Sequence, residues 1–128
     1  MFTAKTAASA LVSVAQALRR IDPNMPLSRA EVFFAVAAAE EPWSLTDLAA
    51  ELKISLSKIS RDIGELGKMG RVRQGDDGPE RPDGAGLVEA VEDLMNRRKY
   101  VVRLTSKGNA LMETIKKELE RKHGKAAR

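Results

Sequence analysis

Residues 100–104, Tyr-Val-Val-Arg-Leu, constrain this fold more than any other stretch. Their β-branched and aromatic content reads as a strand, in a chain whose other patterns are almost all helical. A strand cannot persist alone, because its N–H and C=O groups need partners. Residues 87–92, Leu-Val-Glu-Ala-Val-Glu, are the local candidate, although alone they also fit a helical turn. The pair reads as a hairpin with its turn in residues 93–98. Trp43-Ser44-Leu45 is long enough only for a single bridge strand.

The rest is helical. Residues 3–20 carry Leu11, Val14, Ala15 and Leu18 at helical spacing, among many alanines. Pro23 and Pro26 make 22–26 a connector. Ser28 has Glu31 three residues on, the capping-box spacing. A second helix is expected from there to about Pro42, burying Val32, Phe33, Val36 and Ala37. Thr46-Asp47 opens a short third helix with Leu48, Ala49 and Leu52 inward, and Lys53-Ile54-Ser55 is a tight turn. A fourth helix follows over about 56–66. Ile59, Ile63 and Leu66 form one face; Ser57, Lys58, Arg61, Asp62 and Glu65 form the other. Gly64 and Gly67 each weaken it by about 1 kcal/mol relative to Ala, so fraying is expected near 67–70. Residues 70–86, with five glycines and two prolines, read as a long loop. Thr105 caps a last helix whose apolar stripe is Ala110, Leu111, Ile115 and Leu119. Two helices joined by a tight turn and followed by a hairpin are the plan of a winged helix-turn-helix.

Such a motif must pack two short helices steeply across each other and expose a polar face of the second. Small Ala49 permits the close approach. The second helix begins Ser55-Leu56-Ser57-Lys58, so hydroxyls and free N–H groups face outward and favour an anion. Arg61 lies four residues after Ser57, where it can fork onto a guanine or clamp a phosphate. The plainer reading of Arg61 is an ion pair with Glu65, worth a few tenths of a kcal/mol. Arg97 and Arg98 fall at the hairpin turn, where they suit a minor groove or merely offset nearby carboxylates.

Charge distribution fits a polyanionic partner, or no more than a set of solvated faces. The 128 residues carry a net charge of +4. Residues 53–73 are net +4 and residues 97–107 net +5, on either side of a −6 block over 74–96. Local fields of this kind govern encounter more than total charge. Composition excludes much else. With no cysteine there is no disulfide, zinc ribbon or thiol redox chemistry. His123 is the single histidine, so no multi-histidine metal site exists. No metal or cofactor is implied. Five aromatic residues are too few for a base-stacking platform. The sequence shows neither a membrane span nor a signal peptide, and a reducing, cytoplasmic home fits.

At these residues the sequence resembles the MarR family of winged helix-turn-helix transcriptional regulators. The likeness runs through residues 45–52, Leu-Thr-Asp-Leu-Ala-Ala-Glu-Leu, and 55–61, Ser-Leu-Ser-Lys-Ile-Ser-Arg. It resumes at Gly86-Leu87-Val88 and Asn96-Arg97-Arg98, and closes on Val102-Arg103-Leu104-Thr105-Ser106-Lys107-Gly108. The spacing from Arg98 to Thr105 is its most specific part. The resemblance implies a mainly α fold with a small β-hairpin, and N- and C-terminal dimerisation helices. It implies a homodimeric, double-stranded DNA-binding regulator on a palindromic operator, often a repressor, nucleoid-associated when bound. It would place Ser55, Ser57, Lys58 and Arg61 in or beside the major groove and Arg98, with Arg97, at the wing. Leu11, Val14, Leu18, Leu111, Ile115 and Leu119 would build the dimer interface. Small-molecule effectors are common in the family.

The implied domain covers 1–122. It holds the N-terminal helix at 3–20, the helix-turn-helix at 46–66, a loop insertion at 70–85, the wing at 86–105 and a C-terminal helix at 105–121. Residues 123–128 are a basic tail expected to be disordered. The chain departs from the family at Asn96, where an Asp is usual, in the acidic loop, and in the short length after Gly108. An outlying member, of a phage or other mobile element, would fit. The alternative is a winged-helix protein-interaction module that docks a partner through the 70–85 loop. An enzyme ranks last, because no nucleophile–base set and no phosphate-binding glycine motif is present.

Overall fold

The computed structural model describes residues 2–67, 84–92 and 100–126, with side chains to residue 122. Eight elements follow in chain order: α1 (Ala4–Ile21), α2 (Leu27–Ala38), β1 (Trp43–Ser44), α3 (Leu45–Leu52), α4 (Leu56–Leu66), β2 (Val88–Glu92), β3 (Tyr100–Leu104) and α5 (Ser106–Ala126). They form two compact units, Pro26–Asn109 and Met1–Met25 with Ala110–Arg128.

In the Pro26–Asn109 unit, α2 begins one residue before the expected cap. Pro26 (φ −65°, ψ 150°) is its N-cap and no side chain caps it. The fixed φ of proline already sets the extended cap geometry. Its carbonyl accepts from Arg29 N at 3.0 Å and Ala30 N at 3.1 Å. Ser28 therefore lies inside the first turn, and the capping box with Glu31 does not form. The helix ends at Ala38, before the Glu40-Glu41-Pro42 run.

The turn between α3 and α4 is built from local bonds. Ser44 Oγ accepts from Asp47 N at 3.1 Å and opens α3. Lys53 closes it in the left-handed conformation (φ 57°, ψ 42°), at a cost of about 1 kcal/mol for a side-chain-bearing residue. Its N–H reaches the Ala49 and Ala50 carbonyls. Two residues on, Ser55 Oγ accepts from Lys58 N at 3.2 Å and starts α4. Leu48 and Ala49 of α3 pack with Ile59, Ile63 and Leu66 of α4, all buried, together with Val32, Phe33 and Val36 of α2.

The expected hairpin is present and has a third strand beside it. The antiparallel order is β1-β3-β2, with Trp43 opposite Val102 and Val88 opposite Leu104. Trp43 Nε1 donates to Ala35 O at 3.1 Å, tying β1 to α2. Val88 and Val102 point into the core.

The base of the hairpin is closed on both sides. Ala85, Gly86 and Leu87 donate to the carbonyls of Glu65, Gly67 and Leu66 at 3.0, 2.8 and 2.7 Å. The returning chain thus satisfies the last two carbonyls of α4 and that of its C-cap, Gly67. Thr105 Oγ1 donates to Gly86 O at 2.6 Å and accepts from Gly108 N at 3.1 Å, capping α5. Thr105 N donates to Leu87 O at 3.0 Å. Gly86 holds a φ of +73°, and a Cβ on Gly108 would overlap Leu87 O. Both positions require glycine.

In the other unit, Thr3 Oγ1 caps α1 by accepting from Thr6 N at 3.2 Å. Ala10, Val14, Ala17 and Leu18 of α1 are buried, as are Leu111 and Ile115 of α5. The helix α5 continues to Ala126, five residues past the expected end at 121, through most of the stretch expected to be a disordered tail. Good helix formers carry it on; Arg121 Nη2 donates to Glu118 Oε2 at 2.7 Å across one turn. No helix among the described residues is long and apolar enough to cross a membrane.

Candidate nucleic-acid interface

The helix α4 has one buried and one open face. Ile59, Asp62, Ile63 and Leu66 are buried. Ser55, Ser57, Ser60 and Arg61 are exposed. Ser57, Ser60, Arg61 and Gly64, one helical stripe, line a shallow depression on the open side. At the N-terminus, Ser55 Oγ lies 3.3 Å from Ser57 Oγ. Ser55 caps Lys58 N and leaves the earlier N–H groups of α4 without a partner in the helix, an arrangement suited to a phosphate oxygen. Among the described residues Arg61 makes no ion pair, with Glu65 or any other. Its guanidinium, with five donors, is available to a partner.

Two features of α4 differ from the sequence expectation. Asp62, expected on the polar face, is 1% exposed. Its Oδ1 takes Arg29 Nε of α2 at 3.4 Å, and its Oδ2 takes Lys58 Nζ at 2.9 Å. A carboxylate can be buried there because two cations and their hydrogen bonds replace water. Lys58, expected to meet DNA, therefore points along α4 to Asp62, with its side chain 40% exposed. Arg29 and Asp62 escaped sequence reading because they are 33 positions apart. The i,i+4 spacing from Lys58 to Asp62 was the one visible signal.

The other expected site residues are distributed as follows. Arg97 and Arg98, with Asn96, lie outside the described residues; the strands that bracket them end in the Glu92–Tyr100 pair. Most of the 70–85 loop also lies outside, and Ala85 is fixed to Glu65 as described. Of the six residues assigned to dimerisation, Val14, Leu18, Leu111 and Ile115 are buried within the chain. Leu11 is 63% exposed and Leu119 39%. Val12, which sequence reading did not single out, is 56% exposed beside Leu11. With Ala4, Ala8 and Ala15 these make an uncovered apolar stripe on α1. Among the described residues no acidic or histidine cluster could hold a metal ion.

No protein-family model matches this sequence, and no curated protein does. Solved structures do match. Transcriptional regulator Tm0710 from Thermotoga maritima superimposes with a TM-score of 0.68 at 17% identity, over 95% of this chain and 72% of that one. An S. aureus MepR mutant, solved bound to an oligodeoxyribonucleotide, gives 0.66 at 14% identity over 94% and 75%. A MarR-family transcriptional regulator from Rhodococcus gives 0.56 at 20% identity over 95% and 73%. The chain thus has the winged-helix fold found in MarR-family regulators, mostly helical with a small antiparallel sheet.

Proposed function

We propose that this chain is a sequence-specific, double-stranded DNA-binding transcriptional regulator acting as a homodimer on an inverted-repeat operator. The observation that carries the reading is the open face of α4. A capped helix N-terminus, exposed serines and an Arg61 with no ion pair among the described residues stand on one side, and a close-packed winged-helix frame holds the other. The open helix face enters the major groove. Ser55, Ser57 and the N-terminal N–H groups take phosphate, and Arg61 reads a base edge. Lys58, shared with Asp62, adds positive charge near the groove. The β2–β3 connection, which carries Arg97 and Arg98, reaches the adjacent minor groove.

A second copy doubles this surface. The exposed apolar stripe of α1, with Leu11 and Val12, and Leu119 of α5 supply the contact between copies. Two-fold symmetry then demands a palindromic site with half-sites about one helical turn apart. Occupying such a site blocks polymerase, so the regulator represses. This is a soluble, cytoplasmic role.

Selection of bound duplexes from a random library at physiological salt tests the reading. It expects an enriched inverted repeat and a log–log salt slope of about −6 or steeper for the dimer. Enrichment of nothing beyond background would sink it.

A further inference from the structure

The last turn of α4 contains a glycine that no contact among the described residues requires. Gly64 is flanked by helical residues on both sides, where glycine is the poorest choice after proline. The other glycines near it have reasons. Gly67 is the C-cap of α4, and a Cβ there would stand 3.1 Å from Ile63 O. Gly86 holds a left-handed φ, and Gly108 lies against Leu87 O. Gly64 has an ordinary φ, and a Cβ built on it meets no atom of the described residues within 4 Å. Neither packing nor backbone conformation among the described residues calls for a glycine there, so the helix carries a weakness with no return among them.

The position of Gly64 points to a return outside the chain. It follows Ser57, Ser60 and Arg61 by seven, four and three residues, so all four lie on one stripe. Together they line the depression on the solvent face of α4. The guanidinium beside it is exposed and makes no ion pair among the described residues. The depression runs from the first turn of α4 past Arg61 at its middle and ends at Gly64 in its last turn, two turns from the capped N-terminus that suits a phosphate. A residue without a Cβ on this stripe lets a groove edge come closer to the helix backbone than any other residue would.

We propose that Gly64 is a specificity-determining residue whose missing side chain lets a base edge lie against the α4 backbone beside Arg61. The proposal rests on the DNA-binding reading above. A methyl group at this point would hold the helix away from the groove floor and lengthen the reach asked of Arg61. The loss falls on base contacts, because phosphate contacts at the helix end survive a small outward shift.

The test compares the full chain with Gly64→Ala. Each is titrated against duplexes that the wild-type protein enriches from a randomised library and against a scrambled duplex of equal length, and each is melted. Ala at an open helical site raises the melting midpoint by about 3 °C. Affinity for the enriched duplex falls about tenfold, affinity for the scrambled duplex changes by less than about twofold, and reselection with the variant alters the preferred base at one position of each half-site. A more stable variant with unchanged affinity for the enriched duplex overturns the proposal. So do equal losses on both duplexes, which would place a phosphate at Gly64. Failure of the wild-type protein to enrich any motif overturns the DNA-binding reading as well, and that outcome is read without the variant.

Discussion

Gly108 and Gly64 each lie in a helix, and they stand for two regions built on opposite principles. Around Gly108, the base of the hairpin is saturated. Thr105 bonds Gly86 and Gly108, Leu87 O accepts from Thr105, and no room is left for a Cβ. Around Gly64, the α4 surface has open space, exposed hydroxyls and a cation that makes no ion pair among the described residues. Residues at the hairpin base are explained by the chain's own contacts. Residues on the outer face of α4 have no such contacts among the described residues, and the DNA-binding reading proposed above accounts for them. The difference separates the two meanings of a motif: Leu104-Thr105 with Gly108 maintains the fold, whereas Ser57, Arg61 and Gly64 present a surface.

That comparison can be broken by stability measurements. The largest effect is expected from Gly108→Ala. Its Cβ would overlap the Leu87 carbonyl, part of the backbone, so relief requires moving α5 from the hairpin base. We expect a loss of about 3 kcal/mol in urea unfolding. A variant as stable as the parent would show that the close approach is not a feature of the folded chain. Asp62→Asn comes next. It leaves Arg29, whose side chain is only 16% exposed, beside a neutral amide, and it releases Lys58. A loss of about 2 kcal/mol follows, less than for a fully buried pair because Lys58 reaches water. Parallel loss in Arg29→Met, with no further loss in the double variant, would establish the pair as one unit.

The α4 boundaries and its buried apolar side were legible in the sequence because they depend on neighbours in the chain. Ser55 as cap, and Ile59, Ile63 and Leu66 at helical spacing, specify Leu56–Leu66 without tertiary information. The burial of Asp62 was not legible. An aspartate reads as solvent-facing until Arg29 arrives from another helix. The start of α2 was misplaced for a local reason, since the φ of Pro26 outweighed the Ser28–Glu31 spacing. The pairing of β1 with β3 depends on Trp43 meeting Val102, a contact 59 positions apart in sequence that periodicity cannot carry. On the site itself, the outward placement of Ser55, Ser57 and Arg61 followed from helical geometry. The engagement of Lys58 by Asp62 did not, and neither did the emptiness around Gly64.

Thr105→Val sharpens the comparison at intermediate size. Valine keeps the shape of threonine and removes the hydroxyl, so Gly86 O loses its donor and Gly108 N its cap. We expect about 1.5 kcal/mol, as for a helix cap that also carries a partly buried hydrogen bond. Hydrogen exchange would then quicken at Gly108 N. Unchanged exchange at that amide would mean that Thr105 contributes only shape.

Arg61→Ala should have the smallest effect on stability and is the most informative. Arg61 is exposed and makes no ion pair among the described residues, so removing it should change the unfolding free energy by less than about 0.5 kcal/mol. If the outer face of α4 exists for a partner, the same change must be large in binding. Loss of a bidentate base contact costs about 1–3 kcal/mol, and it should fall on the enriched duplex rather than on scrambled DNA. Equal losses on both duplexes, with a salt slope shallower by about one per protomer, would make Arg61 a phosphate clamp. A loss in stability without a loss in binding would place Arg61 with Thr105 and Gly108, among residues that serve the fold, and the contrast between the two regions would not hold.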